Sequence, residues 1–213
     1  MNTLNDLPSG EPVRLDHPVE LDLSGMELSA SGLPGVLVHP QVLSQLYAHA
    51  QAELHHEVGG YLVGIPYIDP KSGVRATYVH EAVRATYIST PTHITMLPTS
   101  LLTMEKVRLE HNMLMVGYYH SHPGLSVFQS GEDVSNFSMY YSEPYQVAIV
   151  VDPTLTKHGD LPIAGQWIGY FVWDKPGKPA RLPISHLALA PSVPRPIPWS
   201  VALPKFTKPA EKP

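Results

Sequence analysis

Apolar positions along this chain change period several times, and each change predicts an element. Val42, Leu43, Leu46, Tyr47, Ala50 and Leu54 recur at helical spacing, so a helix is expected over about residues 40–54, with Pro40 in its first turn. Residues 36–39 ahead of it read as a short strand. Residues 58–65 form an apolar strand carrying Gly59, Gly60 and Gly64, which implies that something packs closely against its backbone. A turn at 69–73 leads to strand over 74–85 and 87–89, with Val74, Ala76, Tyr78 and His80 sharing one side. Leu101, Leu102, Val107, Leu109 and Leu114 outline a second helix over about residues 98–112, with Thr99 or Ser100 near its start. Strand 113–119 follows, then a short third helix over about 131–141. The nearly unbroken apolar run QVAIVVD, residues 146–152, suits a central buried strand, and 166–173 reads as the last strand. This order predicts a mixed α/β domain, one sheet flanked by helices.

Composition divides the chain into three. Residues 1–35 form an N-terminal extension rich in Pro and Gly, although the alternation of residues 19–23 could add an edge strand. Residues 36–174 hold the periodic elements. From 175 onward the chain is a proline-rich basic tail: ten of the 23 prolines lie in residues 176–213. Part of it is expected to pack on the body through Ile184, Leu187 and Leu189, and the rest reads as an extended linker that could dock a partner.

Charge narrows the partners. In residues 176–213 six basic residues against one acidic give +5, so a total of -5 leaves -10 on the rest, which argues against nucleic acid. The absence of cysteine excludes disulfides and cysteine-ligated zinc. With no secretory pattern at the N-terminus and no apolar run long enough for a membrane span, a cytoplasmic protein is expected.

The chemistry concentrates in residues 113–133, MLMVGYYHSHPGLSVFQSGED. In an extended strand His120 and His122 point to the same side, and Pro123-Gly124 then ends the strand. Ser130 is a good helix N-cap with Asp133 one turn on. Two imidazoles and one carboxylate suit a catalytic zinc, leaving the fourth tetrahedral position to water. Read singly, the histidines could end a surface strand and Ser130-x-x-Asp133 could be only a helix cap. Glu132, about 100° away around the helix, is not expected to be a ligand. His80, His93, His111 and His158 lack ligand spacing and read as structural; His55 and His56 read as surface or supporting residues.

His120-Ser-His122, seven residues beginning with Pro123, then Ser130-x-x-Asp133 resembles the signature of the JAMM (MPN+) zinc metalloproteases, and Glu57 sits where that family's upstream glutamate belongs. The resemblance covers about residues 36–174 and implies the MPN (JAB) fold, with Zn2+ held by His120, His122 and Asp133. It implies Glu57 as the general base and acid, and the Ser130 hydroxyl as a donor to the oxyanion. It further implies a ubiquitin-like protein or its conjugate as substrate, cut after the C-terminal glycine. The compact domain resembles prokaryote-like members. Two other readings stay open at this point: a zinc amidase or peptidase for small conjugates, and a non-catalytic scaffold.

Overall fold

Residues 147–151 become a strand buried along its whole length, and the rest of the fold is arranged on either side of it. The structure is a computed structural model that describes residues 33–68, 75–156, 163, 165–175 and 178–190. In chain order the elements are β1 (Gly35–Val38), α1 (Pro40–Gln51), β2 (Gly59–Ile68), β3 (Arg75–Arg84), β4 (Tyr87–Thr90), β5 (His93–Met96), α2 (Ser100–Glu110) and β6 (Leu114–Ser121). They continue with α3 (Gly131–Tyr140), β7 (Val147–Val151), β8 (Ile168–Lys175), β9 (Lys178–Arg181) and β10 (Leu187–Leu189).

Eight of these strands form one mixed sheet in the order β10-β1-β3-β2-β6-β7-β8-β9, and β4 and β5 make a separate hairpin. The period-2 alternation of the strands sends side chains into two layers. Val42, Leu43, Leu46 and Ala50 of α1 pack with Leu62, Val79, Val116, Tyr119 and Ile149 on one face. On the other face Met104 of α2 joins Tyr61, Val63 and Tyr78, while Phe137 of α3 packs with Tyr118, Ala148, Val150 and Trp173. His120 shares the parity of Tyr118, so it belongs to the face that α3 covers.

The three glycines of β2 explain themselves at the atomic level. A Cβ on Gly64 would lie 1.9 Å from the carbonyl oxygen of Tyr78, and one on Gly60 would lie 2.2 Å from that of Val83. Neighbouring backbone is the close-packed partner.

Several expectations need correction. The second helix forms, but its leucines do not supply the buried face: Leu102 and Leu109 are 76% and 58% exposed, whereas Ser100 and Met104 are buried. Leu114 belongs to β6 rather than to the helix. Residues 87–96 form a hairpin, its second strand the four-residue run His-Ile-Thr-Met, of which only Ile94 and Thr95 are β-branched. Residues 166–173 are not the last strand. β9 and β10 follow, so residues beyond 174 supply both edges of the sheet, where proline is tolerated because one side of the strand needs no donor. Leu187 packs against the core, while Ile184 and Leu189 stay largely exposed. The expected strand at 19–23, the turn at 69–73, His158 and the tail beyond 190 lie outside the described residues.

Candidate active site

β6 carries the chain to His120 and Ser121, and the His122 N–H then donates to Val151 O at 2.8 Å, so the register of β7 extends one residue past the strand. Both imidazoles are buried and their Nε2 atoms face each other at 3.0 Å. Asp133, in the first turn of α3, brings Oδ1 to 3.3 Å from His120 Nε2 and Oδ2 to 3.6 Å from His122 Nε2. Tyr118 stacks on His120 with ring planes 7° apart, and Phe128 packs on His122, so both rings are braced from behind.

These three donors fit a metal ion. Ligands about 2.0–2.1 Å from a tetrahedral centre lie about 3.3 Å from one another. The observed separations of 3.0, 3.3 and 3.6 Å bracket that value. Among the described residues, this is the one group of three or more potential ligands gathered closely enough to hold an ion. Two of the three charge states suit ligation: burial would raise the Asp133 carboxyl, but hydrogen bonds with His120, His122 and Ser130 hold it well below the usual carboxylate range. Burial pushes His120 down, which favours the neutral ligand form. At His122 burial acts the same way, yet the carboxylates of Asp133 and Glu57 outweigh it and leave the ring raised.

Glu57 lies two residues ahead of β2, and β2 runs antiparallel beside β6 with Gly59 opposite His120. It is 3% exposed, and its Oε1 sits 3.7 Å from His122 Nε2. Burial, the largest influence, pushes its carboxyl up to about 7. Two contacts fix it there. Its N–H donates to Thr90 O at the end of β4, at 3.0 Å, and the next N–H, that of Val58, donates to Ser121 Oγ at 2.9 Å. Ser121 went unremarked in the sequence, although alternation alone turns the residue between two converging histidines the opposite way, towards β2.

Ser130 is the N-cap of α3, its Oγ accepting from Asp133 N–H at 3.1 Å. Between His122 and Ser130 the loop is tied to Asp152, which is fully buried. Its carboxylate accepts from Gly124 N–H at 3.1 Å, Ser126 N–H at 2.7 Å, Thr154 N–H at 2.9 Å and the Thr154 hydroxyl at 2.7 Å. Gly124 and Ser126 both have positive φ, 73° and 76°, so the loop turns sharply where Asp152 grips it. Asp152, hidden at the end of an apolar run, was also not singled out by the sequence.

The remaining expectations fall out simply. Glu132 stays outside the donor group and pairs with His93 of β5 at 3.1 Å, joining the hairpin to α3. His80 and His111 contact each other away from the site, and His111 pairs with Glu81 at 3.2 Å. The backbone N–H groups of His55 and His56 donate to Glu53 at an exposed turn.

Residues 39–159, more than half of the chain, match the family of prokaryotic homologs of the JAB domain. The chain belongs to that family. The JAB match contains Glu57, His120, His122, Ser130 and Asp133. Among similar curated proteins, COP9 signalosome complex subunit 5 of Oryza sativa subsp. japonica is 35% identical over 98 residues, 45% of this chain and 25% of the relative. The Candida albicans protein of that name is 33% identical over 132 residues, 57% of this chain and 20% of the relative. That of Drosophila melanogaster is 53% identical over 51 residues, 23% of this chain and 14% of the relative. The chain thus spans a quarter or less of the length of these relatives. The solution structure of a Desulfitobacterium hafniense protein superposes with a TM-score of 0.55 at 19% identity, covering 74% of this chain and 94% of the other, a likeness of fold. The expected family and the mixed α/β JAB/MPN architecture therefore hold.

Proposed function

We propose that this JAB-domain protein is a zinc-dependent isopeptidase or peptidase that hydrolyses the bond after the C-terminal glycine of a ubiquitin-like modifier. The observation that carries this reading is the convergence of His120, His122 and Asp133, with donor atoms 3.0–3.6 Å apart, beside a buried Glu57. Zinc held by those three residues supplies a Lewis acid and brings the ionisation of water into the neutral range. The chain's own groups do the rest. The Glu57 carboxylate takes the proton of the attacking water and delivers it to the leaving amine as the C–N bond breaks. A carboxyl pushed up to about 7 is suited to both transfers. The Ser130 oxygen already accepts from Asp133 N–H, so its O–H is the free end, available to donate to the carbonyl oxygen as negative charge builds there.

The ubiquitin-like substrate is supported by family membership and by the resemblance of the full ligand, base and serine set to active metalloproteases. A cytoplasmic location is part of the proposal. A cysteine-free chain carries no disulfide that requires an oxidising compartment, and no helix among the described residues is long and apolar enough to cross a membrane. The test is cleavage, by the zinc-loaded chain, of a ubiquitin-like fusion and of a lysine isopeptide conjugate, with short amides run alongside. Cleavage at the glycine that is abolished by chelator and by Glu57→Gln is expected. Cleavage of the short amides alone would replace this reading with a small-substrate amidase, and no cleavage by zinc-loaded protein would leave a scaffold.

A further inference from the structure

The family match ends at residue 159, yet a residue beyond it reaches the loop that leads into the donor group. Arg181, on edge strand β9, directs its guanidinium to that loop and to the start of β8. Nη1 donates to Val127 O at 3.2 Å and Nη2 donates to Ile168 O at 3.4 Å. Val127 lies between His122 and Ser130, and its side chain is buried with Phe137 and Phe171.

Both ends of this bridge bear on where the loop sits. Ile168 pairs with Val151 of β7, and Val151 pairs with Ser121, the residue between the two histidines. The Ile168 carbonyl therefore belongs to the row of the sheet that also holds Ser121. One planar guanidinium, its donors in fixed directions, ties Val127 to that row. The seat under Val127 fits closely: a Cβ on Gly169 would lie 2.5 Å from Val127 Cγ1 and 3.1 Å from Arg181 Nε.

The residue after Val127 touches a ligand. Phe128 packs on His122 with ring centroids 4.8 Å apart, although 45% of Phe128 stays exposed. A ring so open on its outer side is placed mainly by its backbone. Two residues further on, Ser130 caps α3, from which Asp133 joins the donors. Asp152 grips the first half of the loop at Gly124 and Ser126, and Arg181 grips the second half at Val127.

We infer that Arg181 is a positioning residue for the donor group: by bridging Val127 O to Ile168 O it seats Phe128 against His122 and fixes the approach to Ser130. An edge strand from the proline-bearing segment is thereby part of the site. This role requires the donor group to hold zinc, as proposed above, and does not require hydrolysis.

Zinc affinity of the full chain is measured by chelator competition for wild type, Arg181→Ala, Arg181→Lys and Lys178→Ala. The visible spectrum of each Co2+ form reports ligand geometry, and urea unfolding of each metal-free chain reports the fold. Arg181→Ala is expected to bind zinc about tenfold more weakly, the lower end of the range for groups that orient metal ligands, and to shift the Co2+ bands. Arg181→Lys keeps the charge but cannot span two carbonyls in fixed directions, so it is expected to stay at least about threefold weaker than wild type. Lys178→Ala, exposed on the same strand, is expected to match wild type within about twofold. Wild-type affinity and an unchanged Co2+ spectrum in Arg181→Ala, whatever its loss in urea, would overturn the inference and leave Arg181 a contact of the sheet edge. Full recovery in Arg181→Lys would overturn the bridge. A wild type that binds no zinc would remove the metal reading and this role with it, a failure distinct from one in which wild type and Arg181→Ala bind zinc equally.

Discussion

Ser130 and Asp133 bond to each other twice across the first turn of α3: Ser130 N–H donates to Asp133 Oδ2 at 2.7 Å, and Asp133 N–H donates to Ser130 Oγ at 3.1 Å. The same carboxylate faces His120 and His122. One capping box therefore starts the helix and also aims the carboxylate at the imidazoles. Its anion sits at a helix N-terminus, where the peptide dipoles favour it.

From that arrangement Ser130→Ala has two separable effects. Loss of the cap costs about 1 kcal/mol of stability, seen in urea unfolding. Loss of the free O–H lowers kcat about a hundredfold, the scale of removing one oxyanion donor. A variant that loses stability but keeps kcat would confine Ser130 to capping.

Asp152 makes a second prediction. Asp152→Asn replaces one acceptor oxygen by an NH2 group facing backbone N–H donors, releasing part of the loop that leads from His122 to Ser130. Zinc affinity, measured by chelator competition, is expected to fall about 10–100-fold, as for other groups that orient metal ligands. Unchanged affinity would show that the loop holds without it.

Gly64 cannot carry a side chain. Gly64→Ala drives a methyl group into the Tyr78 carbonyl, and the expected cost is at least 1–3 kcal/mol, about the scale of an overpacked interior. Urea denaturation checks this, and a shift below about 0.5 kcal/mol would contradict the observed strand spacing.

Acid should weaken the fold through two histidines away from the donor group. His49, on the buried face of α1, lies against the hydroxyls of Tyr119 and Tyr87, and burial, helped by the nearby Arg84 charge, lowers it to about 4. His80 is lowered to about 4 by burial and by its neighbours His111 and His39. Both folded values lie below the unfolded value of 6.5, so the stabilisation is full above 6.5 and is lost as pH falls from there towards 4. The slope approaches about 1.4 kcal/mol per pH unit for each ring. Urea unfolding at about pH 7 and about pH 5 should show His49→Gln losing less stability on acidification than wild type. Identical losses would contradict the assignment.

Legibility in the sequence followed physical cause. α1 and β7 were readable because their apolar patterns and burial agree, and α3 because Ser130-x-x-Asp133 marks its start; the spacing of His120, His122, Ser130 and Asp133 is local enough to survive as a pattern. α2 formed where expected, but its leucines point outward, because the helix contributes only one narrow edge to the core. β5 and the edge strands β9 and β10 were hidden because they are only 4, 4 and 3 residues long, too short to show an alternation, and their strand character comes from their neighbours. Ser121 and Asp152 were missed for a related reason: each acts on backbone groups distant in sequence, Ser121 on Val58 and Asp152 on Gly124 and Ser126, so no local spacing announces them.

The donor group itself is tested most directly by zinc stoichiometry, determined by elemental analysis after zinc loading and dialysis, on wild type, Glu57→Gln and Asp133→Ala. One zinc per chain is expected in wild type and in Glu57→Gln, and less than about a tenth of that in Asp133→Ala, where one of the three ligands is gone. A wild-type chain that retains no zinc, or an Asp133→Ala chain that retains as much as wild type, would contradict the account.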